Sequence, residues 1–472
     1  MKTASSSPTT QNTQAQLLIV FLVLTGIAAV LWVISHYAIA LPGSLLEAAR
    51  WAALIVLCLY AWKRRSLTAW IVAGMLVGAE IGYDFPALAR NLQVLSSIFL
   101  RLIKTIVAPL IFGTLVVGIA GHADLKQVGR MGIKAIVYFE VITTFALIIG
   151  LAAINLSRAG SGVTPPEHAA AAAPAAPSPK ASDIILHAFP ENIAKSVAEA
   201  QVLQVVVFSI IFGIALALLT EQKRQPMLRF CESLSEVMFK FTNIVMLFAP
   251  VGILGAMAYT VGTMGFGVLV NLAKLLATLY AALFVFLTCI LLPVALLVRI
   301  DVKRFIKAVI EPVSIAFATA SSEAALPRAM EAMEAFGVPR QIVAFVLPTG
   351  YSFNLDGSTL YLSLASIFVA QAAGIHLSIG QQIIMMLTLM LTSKGVAGVP
   401  RAMLVILSAT VDSFQLPMWP VVILLGVDQL MDMARTATNV LGNCLATAVV
   451  ARWEHSLGTE TPSPTVVDAV AE

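Results

Sequence analysis

Apolar segments long enough to cross a bilayer recur along the chain, from about residue 17 to residue 452. Each has to span roughly 30 Å of hydrocarbon, where backbone N–H and C=O groups find no water to bond with. A chain that crosses repeatedly in such segments satisfies these groups within helices. The composition agrees, since 59% of the residues are hydrophobic and only 11% are charged. The sequence therefore predicts an all-α, polytopic membrane protein.

Continuous apolar spans are expected in the first 300 residues. They lie at about 17–40, 44–62, 67–85, 93–120, 130–156, 196–220, 228–259 and 264–298. The first two form an N-terminal extension, residues 1–66, and the others a scaffold region, residues 67–298. The first apolar run is longer than a signal-peptide core and no small-residue cleavage site follows it, so we expect it to be a retained helix.

Beyond residue 300 the apolar segments are interrupted by short clusters of Ser, Gly and Pro. The interruptions fall at Ser321-Ser322-Glu323, at Asn354 to Ser358, and at Ser393 to Pro400. Two copies of one pattern are visible, at about 303–373 and 378–452, each a broken helix followed by a long helix with polar residues at mid-depth. Broken segments in corresponding positions of two halves indicate a binding site near the bilayer midplane.

The region after residue 298 is therefore expected to carry the function. Residues 299–452 form this expected core, and residues 453–472 a short polar tail.

Basic residues cluster in alternate loops. They are Lys63, Arg64, Arg65, Lys126, Arg130, Lys134, Lys223, Arg224, Arg229, Arg299, Lys303, Arg304 and Lys307. The positive-inside rule places these loops, and with them both chain termini, in the cytoplasm. The loop at 158–195 is then external, and its Ala/Pro-rich run from Ala169 to Pro179 is expected to be a flexible linker.

Several classes of function find no support in the sequence. The net charge of +4 sits in loops, without the basic and aromatic pattern of a nucleic-acid interface. The four cysteines and six histidines have no spacing that suggests a disulfide framework or a metal site. We therefore expect no cofactor and no nucleic-acid partner.

The last long apolar segment carries polar side chains on one helical face. Between Val421 and Val450 these are Asp428, Asp432, Arg435, Thr436, Asn439 and Asn443. Spacings of three and four residues place them together, because a helical turn brings such positions into register. A charge at mid-depth costs roughly 2.5–3.5 kcal/mol on insertion scales, so this polar face must meet protein, water or ligand. It holds both signs of charge, which suits a solute that also carries both, such as an acidic amino acid.

Four short motifs resemble those of a known transporter family. They are Ser321-Ser322-Glu323-Ala324-Ala325-Leu326-Pro327, Asn354-Leu355-Asp356-Gly357-Ser358, Gly395-Val396-Ala397-Gly398-Val399-Pro400 and Asp432-Met433-Ala434-Arg435-Thr436-Ala437-Thr438-Asn439. In this order and spacing the chain resembles the dicarboxylate/amino acid:cation symporters, from about residue 67 onward. The resemblance implies an inverted-repeat core with two re-entrant helical hairpins, a homotrimer in the plasma membrane of bacteria, and transport rather than enzymatic activity.

The resemblance also implies how the polar face binds substrate. Arg435 matches the arginine that holds the side-chain carboxylate, and a guanidinium fork fits a carboxylate with two hydrogen bonds. Asp432 matches the residue that receives the amino group, and the dicarboxylate-specific members lack an acidic residue there. Thr436 and Asn439 match residues that hydrogen-bond the substrate. The alternative for Arg435 is a structural ion pair with Asp432.

Small residues at the two expected hairpin tips suit the same site. Ser321, Ser322 and Gly398 lie where helix termini present backbone N–H groups that attract a carboxylate, and glycines permit a tip to open. Ser358 is the last residue of the second interruption and is included in the expected substrate site. The competing interpretation is a tight connection between packed helices.

A second group of residues suits a coupling ion. Asn354 and Asp356, close to Gly350, interrupt an apolar helix, and unwound backbone there would expose the oxygen ligands that hard cations require. Relatives use this motif for sodium, which would make these two residues the ligands of a metal ion. The alternative is a kink stabilised by a buried Asn.

Three positions depart from the sodium-coupled pattern. Asn443 occupies the place of a coordinating aspartate, Phe139 that of a tyrosine, and Ile142 that of a threonine. Because these changes remove charge and oxygen ligands, we expect protons as the coupling ion. Glu323 and Glu140 are the candidate carriers, since burial raises the pKa of a carboxyl group.

The sequence thus predicts a symporter that takes up glutamate or aspartate with protons. A sodium-coupled carrier and a C4-dicarboxylate carrier remain alternatives. An intramembrane enzyme with Ser321 or Ser322 as nucleophile lacks a partner side chain at a suitable spacing.

Overall fold

The computed structural model describes residues 8–37, 39–121, 127–163, 165, 186, 189–199, 201–393 and 402–458. Every regular element within this part of the chain is helical, which confirms the all-α prediction. The helices are α1 (Pro8–Tyr37), α2 (Gly43–Arg64), α3 (Leu67–Asp84), α4 (Pro86–Asn91), α5 (Gln93–Ala120), α6 (Gln127–Ser157), α7 (Ile193–Ala198), α8 (Val202–Ala217), α9 (Glu221–Met246), α10 (Ala249–Met264), α11 (Gly267–Phe286), α12 (Leu292–Leu297), α13 (Val302–Thr319), α14 (Ser322–Phe336), α15 (Arg340–Phe353), α16 (Asp356–Ala372), α17 (Ile379–Thr392), α18 (Ala402–Ser413), α19 (Trp419–Leu425) and α20 (Asp428–Trp453).

Several of these helices suit a bilayer. Within the described ranges, five are long and apolar enough to cross a membrane, or six if the helices on either side of the break after α9 form one span. The prediction of a polytopic membrane protein is confirmed at this level.

Most predicted spans before residue 300 match helices, with three differences. The predicted span 228–259 is wrong as one helix, because Pro250 lies in the first turn of α10 and a new helix begins there. The predicted span 264–298 contains a π-helical turn, Leu287–Leu291, just before Pro293, which has no N–H to continue the regular ladder. The predicted span 196–220 is divided between α7 and α8, and Asn192 caps the first of these.

The chain forms two compact units. The first comprises Met1–Phe99 and Leu247–Gly265 and contains α1 to α4 and α10; the second comprises Leu100–Met246 and Phe266–Glu472.

In the first unit, α3 packs closely against α10 through a row of glycines. A Cβ atom on Gly74, Gly78 or Gly82 would lie 2.4–2.6 Å from a backbone carbonyl oxygen of α10. Only residues without a side chain allow two helix backbones to approach so closely. The spacing of four residues keeps all three glycines on one face of α3.

The N-terminal extension is joined to α3 within the same unit. Leu57 and Tyr60 of α2 pack with Ala73 of α3 in one buried apolar cluster. Arg50 of α2 adds a polar link, because its Nη2 lies 2.7 Å from Asp84 Oδ1 at the end of α3.

In the second unit, α16 and α20 form the buried centre. Nearly every residue of both helices is buried. Helix α6 packs against α16, and α13, α14, α15 and α16 all pack against α20. The side chains on α20 are therefore enclosed by protein, including those of its polar face.

The predicted interruptions in this unit are present where the structure describes them. Helix α13 ends at Thr319, the next residue Ala320 has a φ of 51° in the left-handed region, and α14 begins directly after Ser321. Helices α15 and α16 are separated by Asn354 and Leu355. Three predicted features lie outside the described residues: the linker from Ala169 to Pro179, the stretch from Gly395 to Pro400 with Gly398, and the end of the tail.

Candidate functional site

The polar face of α20 is buried in protein rather than turned outward. Asp428, Asp432, Arg435, Thr436, Asn439 and Asn443 are all buried. Arg435 is the largest fully buried side chain in the described part of the chain, with an exposed fraction of 1%. A buried charge of this kind requires compensation from its neighbours.

Two carboxylates and one aromatic ring surround the guanidinium of Arg435. Its Nε donates to Asp432 Oδ1 at 2.8 Å, and its Nη1 donates to Asp428 Oδ1 at 3.1 Å. The carbon of the guanidinium lies 4.3 Å from the centroid of the Tyr361 ring, a cation–π geometry. The contacts include the ion pair with Asp432 that was the alternative interpretation of this arginine.

One donor group of Arg435 remains unused. Within the described residues its Nη2 has no hydrogen-bond partner, although the atom is buried. A guanidinium has five N–H donors, and a buried donor without an acceptor costs free energy. The arrangement is therefore suited to receive a further acceptor, such as a carboxylate.

Asp432 is oriented by its neighbours on the same helix. Its Oδ1 accepts from Arg435 and, at 3.2 Å, from Thr436 Oγ1. Both contacts come from positions three and four residues further along the helix, so the local fold alone brings these side chains together.

Asn439 connects the polar face to the start of α16. Its Oδ1 accepts from the backbone N–H groups of Gly357 at 2.8 Å and Ser358 at 3.2 Å, and its Nδ2 donates to Ser358 Oγ at 2.9 Å. The amide thus satisfies donors at the helix N-terminus that have no partner within the helix. A Cβ atom on Gly357 would lie 2.5 Å from the carbonyl oxygen of Arg435, so this residue must be small.

The residues at the break between α13 and α14 are less enclosed. Ser321 caps α14, its Oγ accepting from the N–H of Ala324 at 3.3 Å, and the side chain of Ser322 is buried. Glu323 is exposed, and Glu140 on α6 is half-buried. Both residues stay predicted proton carriers.

The expected coupling-ion residues lie together at the break between α15 and α16. Asn354 Nδ2 donates to Asp356 Oδ2 at 3.1 Å and to Asn443 Oδ1 at 3.2 Å, and Asn443 Nδ2 donates to the carbonyl oxygen of Asn354 at 3.2 Å. All three side chains are fully buried. One network of amides and a carboxylate thus joins the break to α20.

Gly350 and Phe139 lie beside this network. A Cβ atom on Gly350 would lie 2.1 Å from Asn443 Oδ1 and 3.4 Å from Phe139 Cζ. Phe139 and Ile142 are both buried. At these two positions the side chains are hydrocarbon, whereas the tyrosine and threonine of the sodium-coupled pattern would supply hydroxyl oxygens as ligands.

The sequence alone indicates no role for two residues of the cluster around Arg435. Asp428 belongs to the polar face. Its spacing of seven residues from Arg435 is the signal that could have indicated their contact, because two helical turns separate such positions. Tyr361 lies on another helix, and no sequence pattern indicates its contact with Arg435.

Comparisons with known proteins agree with the motifs. The profile of the sodium:dicarboxylate symporter family matches residues 67–453. The chain is 45% identical to the proton/glutamate-aspartate symporter of Escherichia coli (strain K12) over 398 residues, which cover 82% of this chain and 91% of the relative. It is 42% identical to the proton/sodium-glutamate symport protein of Bacillus caldotenax, covering 83% and 94%. It is 40% identical to the C4-dicarboxylate transport protein of Paraburkholderia phymatum, covering 82% and 92%.

The matched region begins at the first residue of α3 and leaves out the N-terminal extension. It includes every residue of the buried clusters around Arg435 and Asn354. The chain belongs to the sodium:dicarboxylate symporter family.

Proposed function

We propose that this protein takes up aspartate or glutamate together with protons. One observation carries the proposal: a fully buried guanidinium, with two carboxylates beside it, has a terminal nitrogen without a hydrogen-bond partner in the described structure. A carboxylate on the solute satisfies that donor with a charge-assisted hydrogen bond, which is stronger than the bond that a neutral acceptor offers. The relatives named for glutamate or aspartate transport, at 45% and 42% identity, support the same substrate class.

The proposed binding mode follows the charges. The side-chain carboxylate of the substrate bonds to Arg435, and its ammonium group lies beside Asp432. Thr436 and Asn439 orient the remaining carboxylate, together with backbone N–H groups at Ser321 and Ser322. Ser358 holds Asn439 in place through their shared hydrogen bond. Gly398 completes the site from the second expected hairpin.

Proton coupling is proposed from the network around Asn354. Asn443 contributes an amide where a second carboxylate would attract a cation more strongly, and Phe139 and Ile142 contribute no oxygen. The site is therefore a weak one for sodium. Glu323 and Glu140 stay predicted proton carriers.

Sodium coupling is the second candidate, and a specific observation favours it. Asn354 and Asp356 lie within hydrogen-bond distance of each other at a helix break, next to Gly350. Such a group offers carboxylate, amide and backbone oxygens to a sodium ion. A C4-dicarboxylate substrate is disfavoured, because Asp432 would face a second carboxylate instead of an ammonium group.

We extend the proposal to the architecture. The α13–α14 pair and the α17–α18 pair are two re-entrant hairpins related by an inverted repeat, residues 299–452 form the transport core, and residues 67–298 form the scaffold. The protein is a homotrimer in the bacterial inner membrane, with both termini in the cytoplasm. Proteolysis of the tail, residues 453–472, in vesicles of known orientation tests the last point.

The experiment for the proposed function is uptake by proteoliposomes. Vesicles that are alkaline inside and acidic outside, in sodium-free buffer, should accumulate radiolabelled aspartate, and excess glutamate should compete better than succinate. Accumulation that requires sodium and ignores the pH gradient would overturn proton coupling. Accumulation of succinate without aspartate would overturn the substrate class.

A further inference from the structure

One buried carboxylate of the site has no role in the proposed binding mode. Asp428, the first residue of α20, has an exposed fraction of 0%. Its Oδ1 accepts from Arg435 Nη1 at 3.1 Å, while its Oδ2 is buried and has no hydrogen-bond partner among the described residues. A buried carboxylate oxygen without a donor is costly in the ionised state, and a proton on that oxygen removes the cost.

The charges of the cluster show what binding an acidic amino acid would do. Arg435 contributes one positive charge, and Asp428 and Asp432 contribute two negative charges. The substrate adds one further net negative charge to these buried groups. One proton taken up with the substrate restores the original net charge.

The hydrogen bonds indicate where that proton goes. Asp432 is needed in its ionised form for the ammonium group of the substrate, so it is not the carrier. Asp428 competes with the substrate instead, because both are carboxylates that bond to the terminal nitrogens of the same guanidinium. A neutral Asp428 releases Nη1, and Arg435 can then hold the substrate carboxylate with both of its terminal nitrogens.

We propose that Asp428 carries the coupled proton and exchanges places with the substrate carboxylate on Arg435. A proton from outside binds to Oδ2 as the substrate binds to the guanidinium. When the substrate leaves on the inside, the proton leaves Oδ2, and the ionised carboxylate pairs with Arg435 again. The inference rests on the proposed proton symport and names its carrier, in place of Glu323 or Glu140.

Other ionisable groups lie near the Asp428–Arg435 pair. On α20 they are Arg435 and Asp432, and from α16 the ring of Tyr361 lies against the guanidinium. Tyr280 of α11 reaches α20 by donating to the carbonyl oxygen of Leu430 at 3.0 Å.

Other carboxylates on the helices packed against α20 have different surroundings, and Glu140 of α6 is half-buried. Glu311 of α13 and Glu323 of α14 are exposed. Asp356 of α16 bonds to Asn354 and lies next to Gly442, four turns along α20 from Asp428. Apart from Asp432, which is needed for the ammonium group, Asp428 is the carboxylate that bonds directly to Arg435 in the described structure.

The test compares wild type with Asp428→Asn in sodium-free proteoliposomes, by pH-driven uptake and by aspartate exchange without a gradient. If proton and substrate binding are linked one to one, wild-type affinity for aspartate rises up to about tenfold for each unit of falling pH. D428N should keep exchange, lose accumulation driven by the pH gradient, and vary less than about twofold in affinity across the same range. Glu80→Gln, which neutralises a different ion-paired carboxylate, is the matched control and should behave as wild type.

Each outcome decides one of the two proposals. A wild-type protein without pH-driven uptake overturns the proposed proton symport itself. If wild type shows pH-driven uptake and D428N still accumulates aspartate, the role of Asp428 is overturned. Loss of pH-driven uptake in Glu323→Gln or Glu140→Gln alone overturns it too.

A second measurement covers a D428N protein that fails to fold. Infrared difference spectra of wild type and of a Glu323→Gln, Glu140→Gln double variant record whether aspartate binding protonates a carboxyl group. The band of a protonated carboxyl should appear on binding in both proteins. If the band does not appear in the double variant, the proposal is contradicted. The same holds if wild type shows pH-driven uptake but no band.

Discussion

Two clusters of this protein have the same ingredients, one guanidinium and two carboxylates, but differ in how fully they are bonded. In the first unit, Arg50 pairs with Glu80 and Asp84, and Trp51 Nε1 donates to the second oxygen of Asp84 at 2.9 Å. In the second unit, the buried cluster of Arg435, Asp428 and Asp432 leaves Arg435 Nη2 and Asp428 Oδ2 without partners in the described structure.

The difference separates a structural ion pair from a binding site. The side chain of Arg50 is 28% exposed, so water completes its hydrogen bonding, and the cluster joins α2 to α3. The side chain of Arg435 is 1% exposed, and no residue in the described part of the chain bonds to its Nη2. Composition and charge are therefore a weaker indication of function than unsatisfied buried groups.

The largest expected effect is the difference in aspartate affinity between the Arg435 variant and the Arg50 variant. Arg435→Ala should weaken aspartate binding at least about a hundredfold, because the substrate carboxylate loses the guanidinium that holds it, and each hydrogen bond to a charged group contributes about 1.5–3 kcal/mol. Arg50→Ala should leave affinity within about threefold, since its partners are reached by water. Equilibrium binding of radiolabelled aspartate to purified protein measures both. Equal losses in the two variants would remove the distinction between the clusters.

A change of substrate preference is the next effect in size. Asp432→Asn removes the partner of the ammonium group, and a charge-assisted hydrogen bond contributes about 1.5–3 kcal/mol. We expect aspartate to lose about tenfold to a hundredfold in affinity relative to succinate. Competition binding with the two acids checks this, and Glu80→Gln serves as the control. An unchanged ratio would show that Asp432 does not contact the amino group.

Loss of the link between α20 and α16 should have a moderate effect. Asn439→Ala leaves two backbone N–H groups of α16 without an acceptor, at about 1 kcal/mol for the lost cap. Aspartate affinity should fall about fivefold. Asn271→Ala is the matched control, because that amide also bonds two backbone groups, the carbonyl oxygens of Ala159 and Ser161. If Asn439→Ala lowered aspartate affinity less than Asn271→Ala does, a role of Asn439 in positioning the site would be contradicted.

The smallest effect on binding is expected in the first unit. A Cβ atom on Gly78 would lie 2.4 Å from the carbonyl oxygen of Leu254, so Gly78→Ala should destabilise the α3–α10 packing by about 1–3 kcal/mol. Thermal unfolding in detergent should show a lower Tm with unchanged aspartate affinity. Gly26→Ala is the control, since its Cβ meets nothing within 4 Å. A loss of affinity without a change in Tm would argue against a structural role.

Much of the helical arrangement follows from apolar length, because a bilayer permits few alternatives. The helices Leu67–Asp84 and Gln93–Ala120 begin and end within a residue of the predicted spans. The break before α10 was missed because the segment stays apolar there. Pro250 was the available signal, since proline favours the first turn of a helix.

The site was predicted in part, for a physical reason. Contacts within one helix follow from spacing, so Asp432, Arg435 and Thr436 were expected to lie together, and their hydrogen bonds are present. Contacts between helices depend on packing, and nothing in the local sequence indicates that Tyr361 lies under Arg435. The unsatisfied oxygen of Asp428 is also a property of three-dimensional surroundings.

The most direct test of the account is the structure of the protein with aspartate bound, determined by cryo-electron microscopy. We expect density for the side-chain carboxylate at the terminal nitrogens of Arg435, the ammonium group beside Asp432, and a longer distance between Arg435 and Asp428 than the present 3.1 Å. Aspartate bound away from α20, with the Arg435–Asp428 pair unchanged, would contradict it.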